Sequence, residues 1–308
     1  MHLKHIPVLT KEIIHFLNIK PQGCYVDATL GGGGHSEEIL KYLTQGFLYA
    51  FDQDPFAINF CADKFQHCKN ITLINSNFAA LEEELLIKRK IQGIDGILFD
   101  LGLSSFQIDE PQRGFSYLKD AALDMRMNPS QKLTAQEILN TYSFENLTKI
   151  FWLYGNEPKA RIIAQAIIKS RPLKTTLELV SLIDCCYPFY ISRRKGHSSK
   201  RIFQALRIEV NQELSCLEKG LRQSLKLLNK NGRIVVISFN SLEDRLVKNF
   251  FKKNSQYLFP PKVPFTEKEL PQNILTIINK KVVLPTKKEL KLNIRSHSAK
   301  LRAVLKNF

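Results

Sequence analysis

The chain has 308 residues, 44% of them hydrophobic, and a formal charge of +16, with a pI near 9.5. That length can bury a sizeable core and favours two domains, while the charge points to an extended polyanionic partner, nucleic acid ahead of a membrane surface. No stretch approaches the apolar length of a membrane span, and Met1–Leu17 carries Lys4, Lys11 and Glu12 where a signal peptide would have an apolar core, so a cytoplasmic location is expected. Six cysteines, at 24, 61, 68, 185, 186 and 216, form no C-x-x-C pair and show no ligand-like spacing with histidine. They read as thiols of a reducing compartment; neither a disulfide frame nor a metal site is expected.

The first informative element is a short apolar strand that runs into Asp27-Ala28-Thr29-Leu30-Gly31-Gly32-Gly33-Gly34-His35, followed by the amphipathic pattern Ser36–Leu43. Glycines allow positive φ and a close approach of backbone to a ligand, and a following helix directs its unpaired N–H groups at that ligand. His35 sits where it can cap the helix or touch what the loop holds. A second apolar run, Phe47–Phe51, ends in Asp52 about twenty residues past the loop, where a carboxylate can accept hydrogen bonds from ribose hydroxyls. The loop lacks strict G-x-G-x-x-G spacing, so NAD is not specifically indicated. S-adenosylmethionine (AdoMet) shares the ribose and adenine without a pyrophosphate, and it fits.

Further strands are expected near 71–76 and 96–101, with helical patterns between them, which is the alternation of a doubly wound parallel α/β sheet. Phe78, after the third strand, can stack on adenine or serve the core. The fourth run ends in Asp100-Leu101-Gly102-Leu103-Ser104-Ser105. A nucleobase amine is a poor nucleophile because its lone pair is delocalised, and a carboxylate accepting its N–H offsets the charge that develops during methyl transfer. Asp100 stands at the sheet edge for that task; a turn-capping role and a contact to the cofactor are alternatives. Asp27, Asp52 and Asp100 all lie at or near carboxyl ends of strands, where such sheets bind ligands.

The next convincing strand begins only at Arg233, 133 residues after Asp100, whereas a βαβ unit needs about thirty residues. The interval reads as helical: Thr134–Glu137 and Thr175–Glu178 have capping-box spacing, and Phe144–Tyr154 and Lys159–Ser170 repeat apolar residues at helical intervals. An all-α domain inserted over 105–202 is expected, with 1–104 and 203–308 forming the sheet domain. The segment Ile191–Arg201 is short, basic and rich in glycine and serine. Arg193, Arg194, Lys195, Lys200 and Arg201 are candidates for phosphate contacts that provide affinity with little sequence readout. One long helix from Leu206 to Leu228, a strand at 233–239 and a terminal pair of strands at 274–279 and 301–305 complete the expected elements.

Many of these segments, in this order, resemble the bacterial 16S ribosomal RNA (cytosine-N4)-methyltransferase family. The resemblance spans nearly the whole chain: His5–Leu9, the Gly31–Ser36 loop, Phe51–Pro55, Asp100–Gln107, Arg113–Ser116, Asp124–Met127, Tyr154–Glu157, Phe203–Ile208, Ser238–Arg245 and Ser298–Arg302. It implies a Rossmann-like class I AdoMet-dependent methyltransferase domain carrying an inserted helical domain. It also implies AdoMet contacts at Gly33, Gly34, His35, Asp52, Phe78, Asp100 and Gln107. The implied substrate is a cytosine near the decoding centre, number 1402 in the usual rRNA numbering, presented within the small ribosomal subunit. This chain departs from the family at Asn240, where Ser-Phe-His-Ser is usual, at His297, where arginine is expected, and at Lys200-Arg201-Ile202, which replaces Thr-Arg-Thr. Asparagine keeps donor and acceptor groups but cannot carry histidine's proton. A DNA amino-methyltransferase would face the same chemistry, yet its acidic or polar residue followed by Pro-Pro-aromatic is absent, Asp100 preceding Leu101-Gly102. A non-catalytic rRNA-binding assembly factor is the other alternative.

Overall fold

The computed structural model describes residues 7–187, 199–256 and 273–308. Its apolar runs form seven strands: β1 (Cys24–Asp27), β2 (Phe47–Asp52), β3 (Ile71–Asn75), β4 (Ile94–Asp100), β5 (Leu228–Ser238), β6 (Leu275–Ile277) and β7 (Lys300–Lys306). They make one sheet in the order β3-β2-β1-β4-β5-β7-β6. The first five are parallel, and β7 runs antiparallel between β5 and β6. The chain leaves β3 at one edge and resumes at β4 on the far side of β1, so the order reverses between β1 and β4. A crevice at the carboxyl ends of strands is the ligand site of such sheets. Asp27, Asp52 and Asp100 are the last residues of β1, β2 and β4.

Alternate residues of the strands serve two cores. Tyr25, Leu48, Leu98, Val235 and Ile237 join Ile13, Leu17 and Ile39, which come from α1 (Thr10–Leu17) and α2 (Gly34–Leu40). Val26, Phe51, Ile97, Phe99, Ile234 and Val236 face the other way. Each such fully buried side chain contributes about 1.5–3 kcal/mol. α3 (Pro55–Lys64) follows β2, with Pro55 at its first position and Asp54 accepting Phe56 N–H at 3.1 Å as its N-cap. β1 ends at Asp27, whose carboxylate accepts Thr29 N–H at 3.1 Å where the chain turns.

Two compact units share the chain: Met1–Gly102 with Cys216–Phe308, and Leu103–Ser215. The second is helical. Its elements are α4 (Ser105–Asp109), α5 (Ala135–Thr141), α6 (Phe144–Leu153), α7 (Ala160–Lys169), α8 (Thr176–Cys185) and α9 (Lys200–Asn211). Thr175 and Glu178 form a full capping box on α8, and Thr134 caps α5 through Glu137 N–H. Ile138, Leu147, Phe151, Ile163, Ile167, Leu179 and Ile183 pack around one core.

The single helix expected from Leu206 to Leu228 is two. α9 ends at Asn211, Gln212 turns left-handed at φ +49°, and α10 (Glu213–Leu227) begins. Asn211 fixes the break, donating to Met125 and Arg207 carbonyls at 2.8 Å and accepting Met127 N–H at 2.7 Å. Ile202, Phe203 and Leu206 of α9 belong to the helical unit's core, so that unit extends to Ser215 and not to 202. Leu217 and Leu221 of α10 belong to the sheet's core instead.

Candidate active site

The glycine bend is held from two sides. Asp27 is fully buried; its Oδ2 accepts the Ser36 hydroxyl at 2.7 Å, tying the end of β1 to α2. Burial pushes its carboxyl up, opposed by the Ser36 hydrogen bond. On the other side, α3 engages the carbonyls of the bend. Cys61 Sγ donates to Gly31 O at 3.4 Å, and Lys64 Nζ donates to Gly32 O at 3.2 Å and Gly33 O at 3.3 Å. Gly33 has φ +70°, and a Cβ there would meet Phe65 Cε2 at 2.7 Å. Glycine at 33 is therefore required by its left-handed backbone and by the closeness of Phe65. Gly34 is the first residue of α2.

Asp52 locks the bend to β2. Its Oδ2 accepts Gly31 N–H at 2.8 Å and its Oδ1 accepts Asp54 N–H at 2.9 Å. Each oxygen retains a second lone pair for a hydroxyl donor. Burial raises its pKa to about 6 against those two hydrogen bonds. Phe78 lies on a short 3₁₀ turn capped by Asn77, half-buried, its ring edge-on to Phe99 with centroids 5.5 Å apart. A Cβ at Gly220 of α10 would stand 2.9 Å from that ring. Phe78 thus packs one side into the core.

Asp100 ends β4, its N–H donating to Thr29 Oγ1 at 2.7 Å. Its Oδ2 is 3.3 Å from His35 Nε2. Asp100 Oδ1 and both His35 nitrogens are buried without a hydrogen-bond partner. Burial would lower the His35 pKa, but the carboxylates of Asp100, Asp27 and Glu38 outweigh it and hold the imidazole above its ordinary value. The turn that follows needs Gly102, whose φ is +113°. Gly33, Gly34 and His35 therefore lie on one bend, which Asp52 meets through Gly31 and Asp100 meets through His35, at the carboxyl edge of β1, β2 and β4.

Three other sequence candidates, Gln107, Lys200 and Arg201, belong to the helical unit. Gln107 is buried and completes a capping box with Ser104. Lys200 and Arg201 open α9; Arg201 is about half exposed, with Nη1 3.7 Å from the buried Glu157 Oε2. Arg193, Arg194 and Lys195 lie outside the described residues. Asn240, which replaces the family's usual histidine, is the N-cap of α11 (Ser241–Asn254). Its Oδ1 accepts Leu242 and Glu243 N–H at 3.0 Å, and Nδ2 is buried without a partner. That cap was legible as Asn followed three residues later by Glu. Thr29, Ser36, Cys61 and Lys64 were not singled out in the sequence; no periodicity marks them.

Burial pushes the Cys24 thiol up to about 11 and the Cys61 thiol up to about 12, which leaves both inert. Among the described residues no group of His, Cys, Asp and Glu could hold a metal ion, and no helix is long and apolar enough to cross a membrane.

A family model described as the MraW methylase family matches residues 2–307. This chain belongs to the MraW methylase family. It is 55% identical over 306 residues to the Ribosomal RNA small subunit methyltransferase H of Onion yellows phytoplasma (strain OY-M), covering 99% of this chain and 98% of the relative. A protein of Acholeplasma laidlawii (strain PG-8A), Ribosomal RNA small subunit methyltransferase H 1, is 54% identical over 300 residues, covering 97% and 98%. The Ribosomal RNA small subunit methyltransferase H of Mycoplasma mycoides subsp. mycoides SC is 47% identical over 313 residues, covering 99% of each chain.

Proposed function

We propose that this protein is a cytoplasmic AdoMet-dependent methyltransferase of 16S ribosomal RNA that acts on the exocyclic N4 amine of one cytosine. That cytosine is number 1402 in the usual rRNA numbering, and it is presented within the small ribosomal subunit. Membership of a methylase family and the names of the relatives support rRNA methylation; the finer target rests on the sequence resemblance and on Asp100. AdoMet supplies an electrophilic methyl group on a sulfonium.

The residues present suit that donor. Asp52 has lone pairs left for ribose hydroxyls beyond the two amides it accepts. The bend at Gly33, Gly34 and His35 is rigidly held, and Phe78 keeps one side of its ring outside the core. Gln107 is assigned to the same donor by the resemblance alone. The Asp100 carboxylate carries the reading: it ends β4 with its side chain about one-fifth exposed, and its Oδ1 has no hydrogen-bond partner within the protein. An unsatisfied carboxylate oxygen costs about 1–3 kcal/mol or more, and an amine N–H donated to it removes that cost. The N–H bond it accepts is the one whose proton must leave as the nitrogen gains a methyl group. Arg193, Arg194, Lys195, Lys200 and Arg201 would hold RNA phosphates, and the target base must be unstacked to reach the carboxylate.

The deciding experiment is transfer of labelled methyl from AdoMet to small subunits and to DNA, with the methylated nucleotide mapped in rRNA from cells with and without the protein. Label at one cytosine N4, absent from DNA, is expected. Label in DNA would make it a DNA amino-methyltransferase, and binding without label a non-catalytic assembly factor. Asp100→Asn should cut turnover about a hundredfold or more while AdoMet affinity changes only a few-fold.

A further inference from the structure

Three buried polar atoms without hydrogen-bond partners meet where β4 ends beside α2: Asp100 Oδ1, His35 Nδ1 and His35 Nε2. The other acidic groups of this edge are satisfied, Asp27 by Ser36 and Thr29, Asp52 by Gly31 and Asp54. His35 is 6% exposed, and its Nε2 lies 3.3 Å from Asp100 Oδ2 without hydrogen-bond alignment. Buried polar atoms are nearly always hydrogen-bonded, so each of these calls for a partner from water or a bound group, or for a change of charge. The imidazole can do both, being the side chain that titrates near neutral pH.

We propose that His35 is a positioning residue for Asp100: neutral, it donates Nε2–H to the Asp100 carboxylate and leaves the remaining acceptor sites of that carboxylate for the substrate amine; protonated, it neutralises the carboxylate and stops the reaction. This rests on the reading of Asp100 as the acceptor of the amine. In the step it serves, the amine nitrogen forms the N–C bond, the C–S pair returns to sulfur to give a neutral thioether, and one N–H proton passes to Asp100. A carboxylate already paired with an imidazolium is a poor acceptor for that proton.

The charged groups facing His35 are Asp100 on β4, Asp27 on β1 and Glu38 on its own helix, and together they favour the imidazolium against burial. The sign follows. His35 is protonated at pH values below its pKa, so turnover rises with pH as the proton is lost.

The test is single-turnover methyl transfer to small subunits at saturating AdoMet, from about pH 6 to 8.5, with AdoMet affinity measured by calorimetry at each pH. His35→Leu removes donor and titration and should lower the rate about a hundredfold. His35→Gln keeps an N–H at similar reach without titrating; it should recover at least about tenfold of that loss and show no acid limb in this range. Because the resemblance also sets His35 against AdoMet, both variants are compared at AdoMet concentrations at least about tenfold above the Kd that calorimetry gives for each. A wild-type acid limb in His35→Gln, or an undiminished rate in His35→Leu at saturating AdoMet, would overturn the proposal. Asp100→Asn separates the two readings. If it turns over normally, the role of Asp100 falls first. If it is inactive while the His35 variants behave as wild type, only the inference about His35 fails.

Discussion

The ring of Phe65 stands against Gly33 so closely that a Cβ added at 33 would come within 2.7 Å of Phe65 Cε2. The glycine bend is thus shaped by α3 as much as by the strand that precedes it. Gly33→Ala adds left-handed strain of about 1–3 kcal/mol and overpacking of about 1–3 kcal/mol. The expected result is a Tm lower by several degrees and AdoMet affinity weaker by about tenfold or more. Phe65→Leu in the same chain should return part of the Tm by relieving the overpacking while the backbone strain stays. Gly33→Ala with wild-type Tm and affinity would show that the bend does not need its left-handed turn.

Asp52 gives the site a pH dependence of its own. Burial raises its pKa to about 6, and a ribose hydroxyl donated to it favours the charged form. Binding therefore lowers that pKa, so AdoMet affinity should fall as pH drops through about 6 and level off above about 7. A fall of about tenfold between pH 7.5 and pH 5 is expected if binding lowers the pKa by a unit or more. Asp52→Asn should bind more weakly at pH 7.5 and lose that dependence. Calorimetry across the range decides it; a flat wild-type profile removes Asp52 from the ribose site.

Lys64 is a cation whose Nζ meets the Gly32 and Gly33 carbonyls and Glu37 Oε2, the last at 2.8 Å, on a side chain 28% exposed. Solvent screens such bonds, so their loss is worth about 1 kcal/mol. Lys64→Met should raise the AdoMet Kd about fivefold, and the maximal rate should fall less than the Kd rises. An unchanged Kd would mean that Cys61 and Asp52 hold the bend without it.

The strands were legible because β1 to β4 are apolar runs that stop at turn residues, and the helical insertion was legible from the length of chain between Asp100 and Arg233. The break at Gln212 was not. Leu206, Val210, Leu214, Leu217 and Leu221 keep helical spacing straight through it, although the residues before and after serve different cores. Within the site, Asp52 and Asp100 announced themselves by position at strand ends. Thr29, which takes the Asp100 N–H, and Lys64, which takes two bend carbonyls, act across 71 and about 31 residues of chain. Only the assembled sheet brings such partners together. Asn240 was read by its departure from histidine, whereas the structure makes it a helix cap with a spare donor.

Arg201 connects the described helical unit to the question of RNA. Its guanidinium lies 3.7 Å from Glu157 Oε2 and is 54% exposed, so the pair is weak and the cation is free to meet a phosphate as well. Each phosphate neutralised releases about 0.7–0.9 of a counterion, which sets the slope of log affinity against log salt. Neutralising Arg193, Arg194, Lys195, Lys200 and Arg201 together should flatten that slope by up to about 4 if all five meet phosphates. AdoMet affinity should stay at the wild-type value, because the contacts that hold Asp52 and the bend are made by Asp27, Gly31, Ser36, Asp54, Cys61 and Lys64. Arg201→Gln alone should change the slope by about one. Filter binding of small-subunit RNA from about 50 to 300 mM salt measures both. A quintuple variant with the wild-type slope would place the RNA on another face of the protein and leave the basic segment a solvated linker.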